Sequence, residues 1–171
     1  RVLVVPHLCR DISPLNDWRA LAELKAVLRE GDYGVVHTHT SKAGVLGRLA
    51  AASTGVHGVI HSPHGSIYLA GSRIPGVPRG GVRLRLLLAS ERYAGRKSGS
   101  TLTTLSAHEK GTCADLRLAP AEGIHVVPNG IDITRFDLSS ETRSRARGDL
   151  GVAAGDRLVL VHAARPSRDN T

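Results

Sequence analysis

The sequence has no methionine and few aromatic residues: one Trp, one Phe and three Tyr among 171 residues. Proteins that bind single-stranded nucleic acid stack the bases on aromatic side chains beside basic ones. Of the five aromatic residues here, Tyr93 alone lies among clustered basic residues. We therefore expect no nucleic-acid partner.

Cysteine and long apolar segments are also scarce. Cys9 and Cys113 are the only cysteines, and they lack the CxxC spacing of zinc and redox sites. We expect both to be small buried side chains in a reducing compartment. The purely apolar runs span a few residues, whereas a transmembrane helix needs roughly 20. These features favour a cytoplasmic location, with peripheral contact to the inner face of the plasma membrane left open.

Basic residues outnumber acidic ones, with 23 Lys and Arg against 15 Asp and Glu. Such an excess favours polyanions, anionic lipid headgroups or phosphorylated substrates as partners. Much of it lies in one stretch that contains a single acidic residue, Glu91: Arg73, Arg79, Arg83, Arg85, Arg92, Arg96 and Lys97. This basic stretch is either a surface that binds an anionic membrane or a solvated helix face.

The first third of the chain shows a strand pattern and a helix pattern. Residues 1–6 contain a continuous apolar run, which predicts a buried strand. Ser13 and Pro14 are typical of a helix start, with a capping hydroxyl and Pro at the first helical position. Gly31 ends this helix, and its predicted buried stripe consists of Leu15, Trp18, Leu21, Leu24 and Leu28.

The same alternation continues along the chain. Strands are predicted over residues 33–37, 58–61, 101–106 and 124–127, and helices over 41–54, 82–94 and 107–116. Strands that alternate with helices predict an α/β fold with a mostly parallel, doubly wound sheet. In such sheets ligands bind beyond the carboxyl ends of the strands.

Polar and basic residues follow these predicted strand ends. The first end carries His37-Thr38-His39-Thr40-Ser41-Lys42, the next His61-Ser62-Pro63-His64-Gly65, and the later ones Ser106 and Asn129-Gly130. The histidines are either structural or catalytic. Lys42 is a candidate anion ligand at a helix N-terminus, whereas Gly44 and Gly47 allow either close approach to a ligand or helix-to-sheet packing.

Two alternatives remain open at these sites. His37 and His39 lie on one side of a strand, as the ligands of metal-dependent hydrolases do, with His61 or His64 as a further ligand. The later strand ends supply no carboxylate for such a site. The Pro128-Asn129-Gly130 turn is either a simple strand-to-helix turn or a ligand-binding loop, with Asp132 and Thr134 capping the next element.

Several motifs together resemble family 4 of the retaining, nucleotide-sugar-dependent glycosyltransferases. They are VVHTHTSKAGVLGRLAA (35–51), VIHSPHGSIY (59–68), ER (91–92), TTLSAHEKG (103–111) and VVPNGIDITRF (126–136). Their order and spacing also match. The HTHTSKAG and HSPHG motifs are most similar to those of bacterial enzymes that build capsular, exopolysaccharide or lipopolysaccharide chains.

The resemblance implies a GT-B architecture, in which two Rossmann-like domains face each other across a cleft. Residues 1–136 match the acceptor-side domain without its first strand. His64 matches the histidine that lies against the transferred sugar, and Asn129 and Gly130 match a turn near the donor. The acceptor-side residues are Thr40, Ser41, Lys42 and Gly65. The family implies no metal and no cofactor, because the nucleotide-sugar is a substrate; the acceptor is a saccharide or a lipid-linked saccharide.

Residues 137–171 match a linker helix, over 139–150, and the first strand of the donor-binding domain, over 158–162. Arg165 matches the diphosphate-binding arginine, although Pro166 and Asn170 depart from the family pattern. We expect the chain to be a fragment that is inactive alone, with a full-length parent that transfers a sugar with retention. The alternatives are a non-catalytic module that binds anions or membranes, and the metal-dependent hydrolase.

Overall fold

The computed structural model describes residues 2–9, 11–64, 81–135 and 139–152. The chain forms two compact units, Arg1–Asn129 and Gly130–Thr171. The sequence-based boundary after residue 136 stays a prediction. Most of the predicted strand-end residues lie in the first unit, so the arrangement of its strands and helices determines which of their side chains are in contact.

Strands and helices alternate through the first unit. The helices are α1 (Pro14–Gly31), α2 (Ser41–Thr54), α3 (Val82–Ser98) and α4 (Ala107–Asp115), and the strands are β1 (Val35–His39), β2 (Gly58–Ser62), β3 (Thr101–Thr104) and β4 (Ile124–Val126). Each agrees with its sequence prediction to within a few residues at either end.

The four strands form one sheet in the order β1-β2-β3-β4, and every neighbouring pair is parallel. This arrangement confirms the predicted α/β, Rossmann-like fold with a parallel sheet. Parallel neighbours need a crossover segment, which the intervening helices provide. All four carboxyl ends therefore lie at one edge of the sheet.

The register divides the strand residues between two faces of the sheet. Thr38, His61, Leu102 and Ile124 are in register with one another and are all buried. We call their side of the sheet the covered face. Side chains alternate along a strand, so His37, His39, Ser62 and Thr103 project from the other side, which we call the histidine face.

Two glycines allow α2 to lie close to the covered face. A Cβ atom at Gly44 would lie 2.2 Å from Cε1 of His61, and one at Gly47 would lie 2.7 Å from Cγ2 of Thr38. Both distances are shorter than a carbon–carbon contact permits. The structure therefore assigns Gly44 and Gly47 to helix-to-sheet packing, one of the two predicted alternatives.

The core beneath β3 and β4 consists of Leu102, Cys113, Leu118 and Ile124. Burial raises the pKa of the Cys113 thiol to about 11, and the nearby carboxylates of Glu109 and Glu91 add to this effect. Cys113 is therefore an inert core residue, as predicted. Cys9 is exposed, so the prediction that it is buried is wrong.

The prediction of a strand over residues 1–6 is also wrong. Residues 2–5 contain no strand, and Val2 is 91% exposed. The amide of Leu8 donates to the carbonyl of Val5 at 3.0 Å and closes a turn instead. An apolar run becomes a strand only where a neighbouring strand accepts its backbone hydrogen bonds, and none in the described parts of the chain does so here.

Helix α1 begins at Pro14 as predicted, but its buried stripe differs. Trp18 is 69% exposed and Leu15 is also exposed, whereas Ala20 is fully buried. Helix α1 packs against α2, and α1 buries this small residue rather than the two large ones. The Ser13 hydroxyl makes no capping bond; the Asp17 carboxylate accepts from the Ser13 amide at 3.2 Å.

In the second unit, Asp132 caps the next element as predicted, whereas Thr134 is not a cap and belongs to that element. The Asp132 carboxylate accepts from both the amide and the hydroxyl of Thr134, at 3.1 and 2.6 Å, and so caps the 3-10 turn Ile133–Arg135. Helix α5 (Ser140–Asp149) confirms the predicted charged helix. The strand predicted over 158–162 lies outside the described residues.

Candidate functional site

The site begins with two histidines that adjacent strand ends bring together. Nδ1 of His39, the last residue of β1, lies 2.7 Å from Nε2 of His64, two residues beyond β2. Their rings are stacked, with centroids 4.9 Å apart. Partial burial lowers the pKa of His39, and the imidazoles of His37 and His64 lower it further. The lowered pKa favours the neutral form of His39 in this hydrogen bond.

Unusual backbone conformations accompany this histidine pair. Thr40 has φ 63° and ψ 170°, a region that glycine normally occupies, and His64 has φ 47°. The amide of Thr40 donates to the carbonyl of Ser62 at 3.1 Å and so ties the two loops together. Such conformations cost of order 1–3 kcal/mol each and cluster at functional sites. They turn both chain segments at the same edge of the sheet.

A second series of hydrogen-bonded polar side chains lies on the histidine face. Nε2 of His37 lies 2.8 Å from the hydroxyl of Ser62, which hydrogen-bonds in turn to the hydroxyl of Thr103. The rings of His37 and His39 are 4.1 Å apart. Three strands thus contribute to one connected polar surface, and His37, His39 and His64 are its exposed members.

The covered face holds a charged network that the sequence analysis missed. Arg48 on α2 is 1% exposed and forms a salt bridge with buried Glu91 on α3. Its Nε also donates to the carbonyl of Gly44 at 3.0 Å. Two signals were available: an arginine inside an otherwise small and apolar helix, and the single acidic residue in the basic stretch.

His61 lies beside this salt bridge. The Thr38 hydroxyl donates to the carbonyl of Ile60 at 3.2 Å, so it accepts the proton of Nδ1 of His61 at 3.0 Å. Nε2 of His61 is 3.8 Å from the Glu91 carboxylate and has no hydrogen-bond partner among the described residues. Burial, followed by the charge of Arg48, lowers the pKa of His61 to about 3. His61 is therefore a neutral structural residue.

The predicted acceptor-side residues lie at the start of α2. Ser41 is its first residue and Thr40 its N-cap, although the Thr40 side chain makes no capping bond. Lys42 forms a salt bridge with Asp17 of α1 and donates to the carbonyl of Asp11 at 2.5 Å. Its ammonium therefore fixes α1 against α2 in this structure. Gly65 lies outside the described residues.

The predicted donor-side turn follows β4. The amide of Val127 donates to the carbonyl of Thr104 at 2.7 Å, which extends the sheet to the turn. Asn129 and Gly130 are exposed, and a Cβ atom at Gly130 would meet no atom within 4 Å. The predicted partner Arg165 lies outside the described residues, so the turn is the only predicted donor-side element that can be placed.

All the described residues of the basic stretch belong to α3. Arg83, Arg85, Arg96 and Lys97 are exposed, whereas Arg92 is half-buried and donates to the carbonyl of Leu116 at 2.9 Å. Arg73 and Arg79 lie outside the described residues. Val82, Leu86 and Tyr93 are exposed on the same helix. Residues four and eleven apart share a helix face, so these three apolar side chains form a stripe beside the basic side chains.

The predicted alternative of a metal site has no geometric support. The parts of the chain that the structure describes contain no group of three His, Cys, Asp or Glu side chains able to hold a metal ion. His39 and His64 direct ring nitrogens at each other, which removes those nitrogens from coordination. Among the same residues, no helix is both long enough and apolar enough to cross a membrane.

Comparison with known proteins agrees with the fold. Residues 1–130 match the family described as a glycosyl transferase 4-like domain. The chain is 33% identical over 136 residues to UDP-Gal:alpha-D-GlcNAc-diphosphoundecaprenol alpha-1,3-galactosyltransferase of Escherichia coli, an alignment that covers 80% of this chain and 33% of that protein.

A second relative is D-inositol 3-phosphate glycosyltransferase 1 of Catenulispora acidiphila. It is 32% identical over 152 residues, which cover 88% of this chain and 35% of the relative. The chain thus spans about a third of the length of these two curated relatives. The match over residues 1–130 covers most of the chain and includes all four strands, so the chain belongs to the glycosyl transferase 4-like family.

Proposed function

We propose that residues 1–136 are the acceptor-side domain of a retaining glycosyltransferase of the hexosyltransferase type, which transfers a sugar from a nucleotide-sugar. The observation that carries this proposal is the hydrogen-bonded pair of His39 and His64 at the carboxyl edge of the sheet. In parallel α/β sheets this edge is where ligands bind. Family membership supports the chemistry.

The proposed roles follow the family resemblance. His64 contacts the transferred sugar, and Thr40, Ser41, Lys42 and Gly65 line the acceptor side. Asn129 and Gly130 offer exposed backbone to the donor, and Arg165 binds its diphosphate. Cationic side chains neutralise a leaving diphosphate without a metal ion or cofactor, because they stabilise developing negative charge directly.

The acceptor that we propose is a sugar linked to a lipid diphosphate. The name of the Escherichia coli relative gives such an acceptor for that protein. A net charge of +8 favours a diphosphate ligand and an anionic surface alike. We further propose that this chain binds the acceptor but does not transfer sugar without a donor-binding domain, for which residues 137–171 supply the linker and the first strand.

The experiment is an NMR titration of the 15N-labelled chain. A short-chain polyprenyl diphosphate that carries N-acetylglucosamine is added in one series and UDP-galactose in the other. We expect the lipid-linked sugar to shift the signals of Thr40, Ser41 and His64, and the UDP-galactose to be neither bound nor hydrolysed. Failure of the lipid-linked sugar to bind contradicts the proposed acceptor, and turnover of UDP-galactose above background contradicts the proposed dependence on a donor domain.

We also propose that α3 attaches the cytoplasmic protein to the inner face of the plasma membrane. Leu86 is 64% exposed and Tyr93 is 50% exposed on a helix that also exposes Arg85, Arg96 and Lys97. An apolar stripe bordered by basic residues suits a helix that lies in the plane of the membrane interface. Each basic residue near an anionic surface contributes about 1 kcal/mol.

Liposome co-sedimentation tests this attachment. The triple variant Arg85→Gln, Arg96→Gln, Lys97→Gln is expected to lose binding to phosphatidylserine-rich vesicles. The charge-matched control Arg19→Gln, Lys25→Gln, Arg29→Gln changes α1 and is expected to bind like the wild type. If both triple variants lost vesicle binding equally, net charge alone would explain the loss, and a role for α3 would be contradicted.

A further inference from the structure

We propose that His39 is a positioning residue for His64: by occupying Nε2 of His64, it leaves Nδ1 as the ring nitrogen that faces the sugar. This inference rests on the proposed function, since it concerns how His64 meets a ligand. Its basis is the 2.7 Å hydrogen bond between Nδ1 of His39 and Nε2 of His64.

The hydrogen bond restricts His64 in two ways. A neutral imidazole has one donor nitrogen and one acceptor nitrogen, and the bond that one nitrogen makes determines the state of the other. Because one of the two bonded nitrogens must donate and the other accept, engagement of Nε2 by His39 couples the tautomer of His64 to that of His39. Stacking of the two rings, with planes 15° apart, opposes rotation about the side-chain bonds.

His39 is itself well held, so it can act as a support. It ends β1, where it is in register with Ser62 of β2. Its ring lies 4.1 Å from that of His37, which is anchored to the Ser62 hydroxyl at 2.8 Å. His64, by contrast, lies beyond the end of β2 and has an unusual backbone conformation. The regular strand thus orients a side chain on the neighbouring loop.

The first test needs no ligand. Long-range 1H–15N spectra of imidazole nitrogens distinguish the two tautomers of each histidine. We expect His64 to populate one tautomer in the wild type and an averaged mixture in His39→Ala. The matched control is His57→Ala, which removes an exposed histidine preceding β2 and leaves the His64 signals unchanged. Unchanged His64 signals in His39→Ala would overturn the proposal.

The second test adds the polyprenyl diphosphate that carries N-acetylglucosamine. In the wild type we expect Nδ1 of His64 to shift on binding more than Nε2. His39→Ala weakens binding about tenfold, which corresponds to about 1.4 kcal/mol. His39→Asn places an amide near the position of Nδ1 and restores affinity to within about twofold of the wild type.

The outcomes separate the two proposals. Absence of binding by the wild type contradicts the proposed acceptor, whereas the tautomer spectra still report whether His39 restrains His64. Wild-type affinity in His39→Ala, or a larger shift at Nε2 than at Nδ1, contradicts the positioning role alone. Thermal unfolding of each variant identifies a loss of fold, and His39→Asn then distinguishes a positioning role from a structural one through the recovery of affinity.

Discussion

The covered face and the histidine face belong to the same four strands but differ in how far their polar side chains are buried. On the covered face, Thr38 and His61 are buried, and Arg48 and Glu91 pair beside them. On the histidine face, His37 and His39 are exposed although they are hydrogen-bonded. Buried polar groups must be satisfied or they destabilise the fold. The polar side chains of the covered face are therefore enclosed in the fold, whereas His37 and His39 on the histidine face remain accessible to a ligand.

The largest expected effect on stability comes from the Arg48–Glu91 salt bridge. Glu91→Gln leaves the buried guanidinium of Arg48 without its paired carboxylate, and breaking a buried pair costs about 3–5 kcal/mol. Urea unfolding measures the loss. Glu30→Gln changes an exposed carboxylate of α1 and is expected to stay within about 0.5 kcal/mol of the wild type. Similar losses in the two variants would refute the distinction between covered and exposed charge.

The next effect is a pH dependence from His61. Its pKa is about 3 in the folded chain and about 6.5 when unfolded, so the unfolded state binds the extra proton between these values. Stability therefore falls by about 1.4 kcal/mol for each pH unit below 6.5 and levels off near pH 3.

Urea unfolding at pH 7, 6 and 5 tests this dependence. His61→Gln is expected to remove that part of the slope, whereas His57→Gln, at an exposed position, keeps it. An identical slope in the wild type and in His61→Gln would show that His61 does not titrate as the structure predicts.

Helix packing on the covered face gives the third effect. Gly44→Ala forces a Cβ atom into the ring of His61, and overpacking of this kind typically costs 1–3 kcal/mol. Gly111→Ala is the matched control, because a Cβ atom in this part of α4 meets no atom within 4 Å. Alanine there is expected to add about 0.5–1 kcal/mol, since it is the better helix former. If the denaturant midpoints of Gly44→Ala and Gly111→Ala moved in the same direction, the close approach of α2 to the covered face would be contradicted.

The smallest effect is expected on the histidine face. His37→Ala removes an exposed ring and one hydrogen bond to Ser62, which lowers stability by about 1 kcal/mol or less. Thr38→Val, one residue along β1, leaves the buried Nδ1–H of His61 without its acceptor and costs about 1–3 kcal/mol. Differential scanning calorimetry compares the two variants. A larger loss for His37→Ala would reverse the assignment of the two faces.

Much of the fold was predictable because its signals are local. Alternating apolar runs, Pro14 at a helix start and glycines at helix ends each act over a few residues, and every predicted element from 14 to 127 is present. The sequence predictions that were wrong depended on contacts with other strands or helices. Residues 2–5 have no strand to pair with among the described residues, and Trp18 is exposed whereas Ala20 is buried, which periodicity cannot foresee.

The residues of the candidate site could be predicted from the sequence, but the contacts between them could not. The sequence placed His37, His39, His61 and His64 at neighbouring strand ends, and the family resemblance singled out His64 among them. The structure separates them: His61 is a buried structural residue, whereas His39 pairs with His64. Lys42 was a candidate anion ligand, and its observed partner is Asp17 of α1.

The order of strands and helices and the family could be predicted from the sequence, because hydrophobic periodicity and short motifs are local features of the chain. Which polar groups are neighbours follows from the packing of these elements. Parallel register brings His39 of β1 beside the end of β2, and α2 carries Arg48 to Glu91 across 43 residues of sequence. Such contacts depend on register and packing between elements, which no single segment encodes.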